Sequence, residues 1–357
     1  MRLLNIHTLK LQEFEGDEIP PYIVTSHRWG KDEATYKDVL KDKNKHTVGY
    51  EKIKQFCKAA KSQYLQGVEP PEWLWIDTCC INKDSSAEVS ESINSMFAWY
   101  RNAEYCLAYL RDVEPQIDGY ARFLSDFRGS AWFRRGWTLQ ELLAPKAVLF
   151  FSTSWVHISY KISRQLKTAV KVGSLIHPSE VCNLLAAIMH VPQDVLMDSE
   201  HMHRYSREAK MGWMRNRQTT KAEDMAYCLL GIFDVSMPLI YGEGRSKAER
   251  RLHREIASTC QHHHMPVRFP IKDLHGNKNG TLSASTARFP VQTHSIPSIL
   301  LTSARSGPIG IKKSKKYRSG DGWPAFLGDT GFLKRGQRAK KVSTGYADTA
   351  GSVFDSH

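Results

Sequence analysis

Three sets of polar side chains lie next to apolar stretches that are long enough to be β-strands. Two sets follow such a stretch, and the third precedes one. The sets are Ser26, His27, Arg28 and Glu33, then Asp77 and Asn82, and finally Arg134, Arg135 and Glu141. In an open parallel sheet, ligands bind beyond the carboxyl ends of the strands, where the loops converge. The sequence therefore predicts that the three sets lie together and form one candidate site.

His27 and Asp77 are candidates for catalytic or substrate-holding roles. A histidine can donate or accept a proton near neutral pH, although His27 could instead only hydrogen-bond its own loop. Asp77 ends a very apolar stretch, so it could hold a substrate hydroxyl or a neighbouring basic group. It could equally cap the turn at Thr78, and this structural role is slightly favoured.

Arg134 and Arg135 could clamp a pyrophosphate, because a guanidinium donates two parallel hydrogen bonds to phosphate oxygens. The alternative for one of them is an ion pair at the surface or between domains. Indole rings would supply a stacking surface for a planar ring, although tryptophans are more often core residues. The residues predicted to bind a ligand are Ser26, Arg28, Trp29, Glu33, Asn82, Arg134, Arg135 and Trp137, with Trp132 as a further stacking candidate.

Apolar stretches alternate with helical patterns from residue 22 to residue 151. Strands are predicted at residues 22–26, 73–77, 105–110 and 147–151, and helices at residues 50–64, after Ser85 and from Thr138. Ser85 and Glu88 have the spacing of a capping box, and so do Thr138 and Glu141. Strands that alternate with helices imply βαβ crossovers, so the predicted fold class is α/β, with a mostly parallel sheet and flanking helices in a flavodoxin-like arrangement.

The pattern divides the chain into four parts. Residues 1–20 are a predicted N-terminal lead-in, residues 21–157 the α/β domain, and residues 158–259 a small helical appendage. Residues 260–357 are predicted to be a low-complexity, disordered basic tail, because periodicity disappears there and Gly, Ser, Thr, Pro and Lys dominate.

The net charge of +13 is concentrated in that tail. Residues 261–357 contain fifteen Lys or Arg, five Asp and no Glu, which gives ten of the thirteen charges. A basic tail attracts phosphates nonspecifically, but the pattern is more typical of a solvated segment, so nucleic-acid binding ranks last. No signal-peptide pattern and no run of about 18 apolar residues occurs, so the sequence predicts a cytoplasmic protein without a membrane span.

The seven cysteines offer no framework for a metal or for disulfides. Their number is odd and no Cys-x-x-Cys spacing occurs, whereas zinc sites and disulfide frameworks need paired, regularly spaced thiols. The sequence predicts reduced cysteines packed as small hydrophobes, no metal ligand and no established cofactor. Cys79 and Cys80 could approach His27, but nothing beyond that proximity supports a nucleophilic thiol.

Three segments, taken in order, resemble the heterokaryon-incompatibility (HET) domain of filamentous fungi. They are Ser-His-Arg-Trp-Gly at residues 26–30, Asp-Thr-Cys-Cys-Ile-Asn at residues 77–82, and Trp-Phe-Arg-Arg-Gly-Trp-Thr-Leu-Gln-Glu-Leu at residues 132–142. The resemblance spans roughly residues 20–155, and residues 218–233 and 241–244 are similar to the helical segment that often follows this domain. It implies a role in non-self recognition, in which such proteins trigger programmed cell death between incompatible hyphae. The implied partners are further copies of the chain or other incompatibility proteins.

The HET domain is more distantly similar to the TIR fold, in which a glutamate serves NAD cleavage in catalytic members. Ser130-Ala131-Trp132 and the segment that ends in Glu141-Leu142 carry this similarity, which implies a TIR-like sheet, NAD as the candidate substrate and Glu141 as a catalytic residue. A carboxylate beside the glycosidic bond to a cationic nicotinamide could stabilise oxocarbenium charge, orient the ribose hydroxyls or help activate water. The alternative is structural, with Glu141 closing the start of its helix in the capping box.

Two functions from different classes remain. The first is an effector module of the HET type that acts on self-association, with NAD glycohydrolase activity. The second is a non-enzymatic adaptor that binds other HET or sensor proteins. The enzyme requires the three sets to face one concave pocket with Glu141 exposed to it, whereas the adaptor predicts that these residues are used in caps and ion pairs.

Overall fold

A seven-stranded mixed sheet forms the centre of the fold in the computed structural model, which describes residues 1–115 and 119–262. The strands are β1 (Arg2–Asn5), β2 (Leu11–Glu13), β3 (Tyr22–His27), β4 (Trp73–Trp75), β5 (Cys106–Tyr109), β6 (Ala147–Phe151) and β7 (His157–Ile162). Their order across the sheet is β2-β1-β4-β3-β5-β6-β7. The four central strands are parallel, and β1, β2 and β7 pair antiparallel at the two sides. The predicted α/β class is confirmed.

The four parallel strands follow the flavodoxin order. Across the sheet their order is β4-β3-β5-β6. If the four are renumbered 1 to 4 along the chain, this order is 2-1-3-4, so the direction of winding reverses between β3 and β5. At such a point the loops after the two strands leave a crevice in which ligands bind. His27 at the end of β3 pairs with Tyr109 at the end of β5, so both strand ends reach this crevice.

Helices cover both faces of the central strands. Every residue of β3 and β6 is buried, and strands that are buried on both faces have the continuous apolar sequences from which they were predicted. The helices of the α/β domain are α1 (Tyr36–Leu40), α2 (Val48–Ala60), α3 (Ser86–Asn102), α4 (Tyr120–Gly129) and α5 (Thr138–Leu143).

The predicted capping box of α3 forms only in part. Ser85 Oγ accepts a hydrogen bond from Glu88 N at 3.2 Å, as expected for a helix N-cap. The carboxylate of Glu88 instead accepts hydrogen bonds from Arg2 Nη1 and Asn82 N, both at 2.7 Å. Glu88 therefore connects α3 to β1 and to the turn that follows β4.

Residues 178–262 are mainly helical and pack onto the α/β domain. The helices are α6 (Pro178–Met189), α7 (Gln193–Met197), α8 (Arg207–Gly212), α9 (Asp224–Tyr227), α10 (Leu230–Phe233) and α11 (Arg245–His262). Gly231 lies inside α10 against Phe97 of α3, where a Cβ atom would come within 2.0 Å of the Phe97 side chain. Its role is therefore a close helix–helix approach. None of the described helices is long and apolar enough to cross a membrane.

The sequence patterns miss the edges of the fold. Residues 1–20, predicted as a lead-in, contribute β1 and β2 to the sheet, and β7 extends the sheet into the range predicted as helical. These outer strands are only partly buried, so they lack a continuous apolar sequence. Helix α11 continues to residue 262, which places the first residues of the predicted tail in a helix. The rest of the predicted tail lies outside the described residues.

Candidate functional site

The carboxyl ends of the parallel strands bring the three predicted sets to one edge of the sheet. Ser26 and His27 end β3, Asp77 follows β4, and α5, which carries Glu141, precedes β6. Consecutive residues of a strand point to opposite faces of the sheet. Ser26 and His27 therefore divide the candidate site into two parts, called here the Glu141 side and the His27 side.

On the Glu141 side, a chain of hydrogen bonds holds the carboxylate. Ser26 Oγ donates to Glu141 Oε2 at 2.5 Å and accepts from Trp132 Nε1 at 2.8 Å. Glu141 is only 6% exposed and Trp132 only 1%. Trp132 is therefore a buried hydrogen-bond donor, and its prediction as a stacking surface is wrong.

The burial of Glu141 changes its acidity. Burial, with a smaller contribution from Asp77, raises the pKa of Glu141 to about 7, against the opposing effects of Arg135, the Ser26 hydrogen bond and Arg217. A carboxyl group with this pKa is about half ionised at neutral pH. It can therefore accept or release a proton under the conditions in which most enzymes work.

The structural alternative for Glu141, a capping box at the start of α5, is not formed. Thr138 Oγ1 donates to the carbonyl oxygens of Trp132 at 2.7 Å and Arg135 at 2.8 Å. Trp137 occupies the N-cap position without a side-chain hydrogen bond. The Thr138 hydroxyl thus points back into the preceding loop, while the Glu141 carboxylate is directed at β3.

Arg217, from the helical region, fixes the loop that leads into α5. Its Nη1 donates to Arg135 O at 2.7 Å and to Thr138 Oγ1 at 3.1 Å. Gln218 adds two backbone hydrogen bonds to the same loop. Arg217 is 6% exposed, and burial lowers its pKa to about 10. The sequence analysis missed this residue.

Lys161 fixes the other end of α5. Its Nζ donates to Leu142 O at 3.0 Å and to Pro145 O at 2.8 Å, although the side chain comes from β7. A cation at a helix C-terminus satisfies carbonyl groups that lack helical partners. Burial lowers the pKa of Lys161 to about 8. Contacts at both ends therefore hold the helix that carries Glu141.

On the His27 side, a buried imidazole lies between two carboxylates. His27 Nε2 is 3.9 Å from Glu33 Oε2 and 4.0 Å from Asp77 Oδ1, and neither ring nitrogen has a hydrogen-bond partner within the described part of the chain. The alternative in which His27 bonds only its own loop is therefore not observed. Burial is the main cause that lowers the pKa of His27 well below its ordinary value. Three cations add to this effect: Lys52, Arg135 and Lys83.

The two carboxylates are held by different partners. Glu33 Oε1 accepts hydrogen bonds from Gly30 N and Lys52 Nζ, both at 2.5 Å, whereas its Oε2 is buried without a partner. Asp77 Oδ2 accepts from Trp29 Nε1 at 2.8 Å. The Asp77 carboxylate is thus directed at Trp29, which speaks against the predicted cap of the turn after β4.

Two cations lie over the exposed indole ring of Trp29. The Nζ atom of Lys83 is 3.4 Å from the ring centroid, and the Cζ atom of Arg135 is 5.4 Å from it. Between residues 1 and 262, apart from 116–118, neither Arg134 nor Arg135 forms an ion pair with a carboxylate. The ion-pair alternative for the two arginines is therefore not observed in this part of the chain.

Four other predicted ligand-binding residues do not join these contacts. The Oδ1 atom of Asn82 accepts a hydrogen bond from the backbone two residues later and shapes the turn before α3. Trp137 Nε1 donates to Asp224 at 3.1 Å, which connects α5 to α9. Arg134 is exposed and Arg28 is half-buried. The structure therefore brings together only part of the predicted set.

A surface pocket of about 410 Å³ lies at the opposite edge of the sheet. Its walls include Pro21, Trp73 and Glu104, which stand at the amino ends of the parallel strands. This pocket contains none of the three predicted sets.

Among the described residues, no group of three or more His, Cys, Asp or Glu is placed to hold a metal ion.

Comparisons with known proteins identify related sequences. A family model described as heterokaryon incompatibility protein (HET) matches residues 22–119, which include β3, β4, β5 and the His27 side. Vegetative incompatibility protein HET-E-1 of Podospora anserina is 40% identical over 250 residues, which are 69% of this chain and 17% of that protein. No solved structure matches. Through the domain that contains these strands and the His27 side, the chain belongs to the heterokaryon-incompatibility (HET) family.

Proposed function

We propose that the chain is an effector in fungal vegetative incompatibility, where it acts in non-self recognition and triggers programmed cell death. The support is the 40% identity to a vegetative incompatibility protein along 69% of the chain. The chain spans 17% of the length of that relative. The proposal is therefore limited to what a HET domain with its adjoining helical region can do.

The activity we propose is cleavage of the glycosidic bond between nicotinamide and ribose in NAD. The observation that carries it is the Glu141 carboxyl group, buried beside the strand ends with a pKa raised to about 7. Perturbed acidity of this kind is typical of catalytic carboxyl groups.

The reaction needs only NAD and water. The C–N bond breaks and its electron pair leaves with neutral nicotinamide, so the ribose carries oxocarbenium charge, which the ionised Glu141 carboxylate stabilises. Water then forms the new C–O bond and loses a proton, which Glu141 or the solvent accepts. Ser26 sets the direction of the carboxylate through its 2.5 Å hydrogen bond.

This site must open before NAD can reach it. Glu141 is 6% exposed, and Ser26 occupies one of its carboxylate oxygens. Self-association is the proposed trigger, since a contact with a second copy can stabilise an open state that is rare in the single chain. Such a requirement keeps the isolated domain inactive.

The test is nicotinamide release from NAD by the full chain, with and without fusion to an inducible dimerisation domain. The parent is expected to release nicotinamide on dimerisation, and Glu141→Gln is expected to release none while it keeps its fold by circular dichroism. Glu91→Gln, at an exposed position of α3, is the matched control and should match the parent. Equal release by the parent and Glu141→Gln would exclude Glu141 as the catalytic group.

The second candidate function is a non-enzymatic adaptor for other HET or sensor proteins. The low exposure of Glu141 and its hydrogen bond to Ser26 favour this function, because a closed carboxylate can serve stability alone. Under the adaptor hypothesis, dimerised parent chain releases no nicotinamide. Glu141→Gln then still kills cells when it is expressed in a fungal host in which the parent does so.

A further inference from the structure

The His27 side contains buried polar atoms that lack a hydrogen-bond partner among the described residues. His27 Nε2, Glu33 Oε2 and Asp77 Oδ1 lie around a gap, with separations of 3.9 and 4.0 Å from the imidazole nitrogen to the two carboxylate oxygens. The His27 side chain is fully buried. Both its nitrogens and Glu33 Oε2 are without a hydrogen-bond partner in the described residues.

The separations between these groups fit bridging by the hydroxyls of a bound ligand. Separations near 4 Å are too long for direct hydrogen bonds, but an oxygen atom placed between the groups lies within hydrogen-bond distance of each. A buried polar atom without a partner costs free energy. His27 Nε2 and Glu33 Oε2 are two such atoms that lie 3.9 Å apart, and a ligand hydroxyl that bridges them supplies the partner that each lacks.

The hydrogen-bond donors and acceptors around the gap determine which chemical group can bind there. Burial keeps the pKa of His27 low, so the imidazole is neutral and offers one donor and one acceptor. The carboxylates of Glu33 and Asp77 only accept. A ligand must therefore donate to the two carboxylates and pair with the imidazole, which a pair of neighbouring hydroxyls does. Lys52 lies against Glu33 and repels a bound cation.

Positive charge at the rim of the gap fits a phosphate. Arg135 and Lys83 lie over the Trp29 ring, and Trp29 is hydrogen-bonded to Asp77, so the two cations stand next to the gap. Arg135 has no carboxylate partner within 4 Å in the described chain. A guanidinium in this state is well suited to bind phosphate oxygens.

We infer that His27, Glu33 and Asp77 form a pocket for the hydroxyls of a phosphorylated ribose, with the phosphate bound by Arg135 and Lys83. The Asp77 and Glu33 side chains are 20% and 12% exposed, so the pocket is reached past them when Trp29 moves aside. The inference rests on the proposed function for the identity of the ligand as part of NAD. Binding there needs neither Glu141 nor bond cleavage.

The test measures binding and not turnover. ADP is titrated into the full chain carrying Glu141→Gln by calorimetry, and 2′,3′-dideoxy-ADP is the matched probe without the ribose hydroxyls. We expect the dissociation constant to rise about tenfold or more for the dideoxy probe, for Asp77→Asn and for Arg135→Gln, as loss of one or two good hydrogen bonds predicts. Asp32→Asn and Arg128→Gln, at exposed positions, are the controls and should leave it unchanged.

A second readout reports on His27 itself. Long-range ¹H–¹⁵N spectra should show the His27 imidazole signals move on addition of ADP and not on addition of the dideoxy probe. Equal affinity for the two probes, no binding of ADP, or unmoved His27 signals would each overturn the inference and leave the gap to an ordered water. Nicotinamide release could fail while ADP binds, so the two proposals are tested separately.

Discussion

Ser26 and His27 are consecutive residues of β3 whose side chains serve different halves of the candidate site. Ser26 Oγ donates to Glu141 at 2.5 Å, whereas His27 Nε2 faces Glu33 and Asp77 on the other face of the sheet. The positive charge of Arg135 acts on both halves, since it lowers the pKa of Glu141 and of His27. The end of β3 therefore lies next to two buried titratable groups, one on each side, that respond to the same cation.

The first prediction concerns the pH dependence of stability at Glu141. Its pKa is about 7 in the folded chain and ordinarily 4.5, so the unfolded chain loses its proton first and stability falls as pH rises from about 4.5 to 7. Glu141→Gln keeps an acceptor for Ser26 and removes this loss. At pH 8 it should be more stable than the parent by about 3 kcal/mol, and near pH 4 the two should be equal.

Urea unfolding at the two pH values measures the difference. Glu91→Gln, at an exposed position of α3, should follow the parent at both pH values. If Glu141→Gln and the parent differ by the same amount at pH 4 and pH 8, the Glu141 carboxyl group has an ordinary pKa in the folded chain.

The second prediction concerns His27 in acid. Its folded pKa is well below 6.5 because of burial, so the unfolded chain takes up a proton first and stability falls as pH drops below about 6.5. His27→Gln lacks this effect. As the pH falls below about 6.5, the parent should therefore lose more stability than the variant.

Denaturant unfolding across this pH range provides the comparison, and NMR gives an independent check. The His27 imidazole signals should stay those of the neutral ring as the pH falls below about 6.5, where an ordinary histidine becomes charged. A parallel loss of stability in the parent and His27→Gln would mean that His27 is protonated in the folded chain.

The sequence is sufficient to predict the centre of the fold and the clustering of the polar sets. The central strands are continuous apolar sequences because helices cover both faces, and β3 is buried throughout. Strands β1 and β7 contain both buried and half-buried residues and pair at the sides of the sheet, so they lack the continuous buried sequence of the central strands. The division of the site could also have been inferred, because Ser26 and His27 are adjacent in one strand.

Three cations of the site were not predicted from the sequence. Lys52 lies on α2, and lysines of helices are ordinarily solvated, so nothing in its sequence context points to Glu33. Lys83 follows a predicted turn and could have been found only from the position of Trp29. Arg217 acts through contacts about 80 residues away along the chain, and no local pattern encodes such a contact.

The third prediction concerns Gly49, the second residue of α2. A Cβ atom there would lie 2.1 Å from Asp32 O and 2.5 Å from Ala34 N, so the loop that carries Glu33 must move. Gly→Ala in a helix ordinarily stabilises by up to about 1 kcal/mol. We expect Gly49→Ala to destabilise by about 2 kcal/mol or more instead, because backbone atoms must shift.

Gly129→Ala is the control for this change. Gly129 ends α4 and a Cβ atom there meets open space, so the variant should be as stable as the parent or more stable. Thermal melts of the three proteins compare them directly. If Gly49→Ala melts at or above the melting temperature of the parent, the loop that carries Glu33 can move without a loss of folding free energy. The His27 side would then not be rigid.

The fourth prediction concerns the contact of Arg217 with the loop before α5. Arg217→Lys keeps the charge but loses the planar fork that reaches Arg135 O and Thr138 Oγ1 together. We expect a loss of about 2 kcal/mol, since hydrogen bonds from a buried charged group contribute about that much. Arg215→Lys, at an exposed position two residues earlier, should cost less than about 0.5 kcal/mol.

Urea unfolding of both variants, followed by tryptophan fluorescence, measures these losses. The comparison decides whether the helical region is part of the site or an independent attachment. Arg217 lies outside residues 22–119, which the family model matches. Its hydrogen bonds nevertheless hold the loop that contains Arg135 and the start of α5, the helix that carries Glu141. Equal midpoints for Arg217→Lys and Arg215→Lys would mean that α5 holds its position without the helical region. A selective loss in Arg217→Lys would mean that any fragment ending before residue 217 lacks a properly formed Glu141 side.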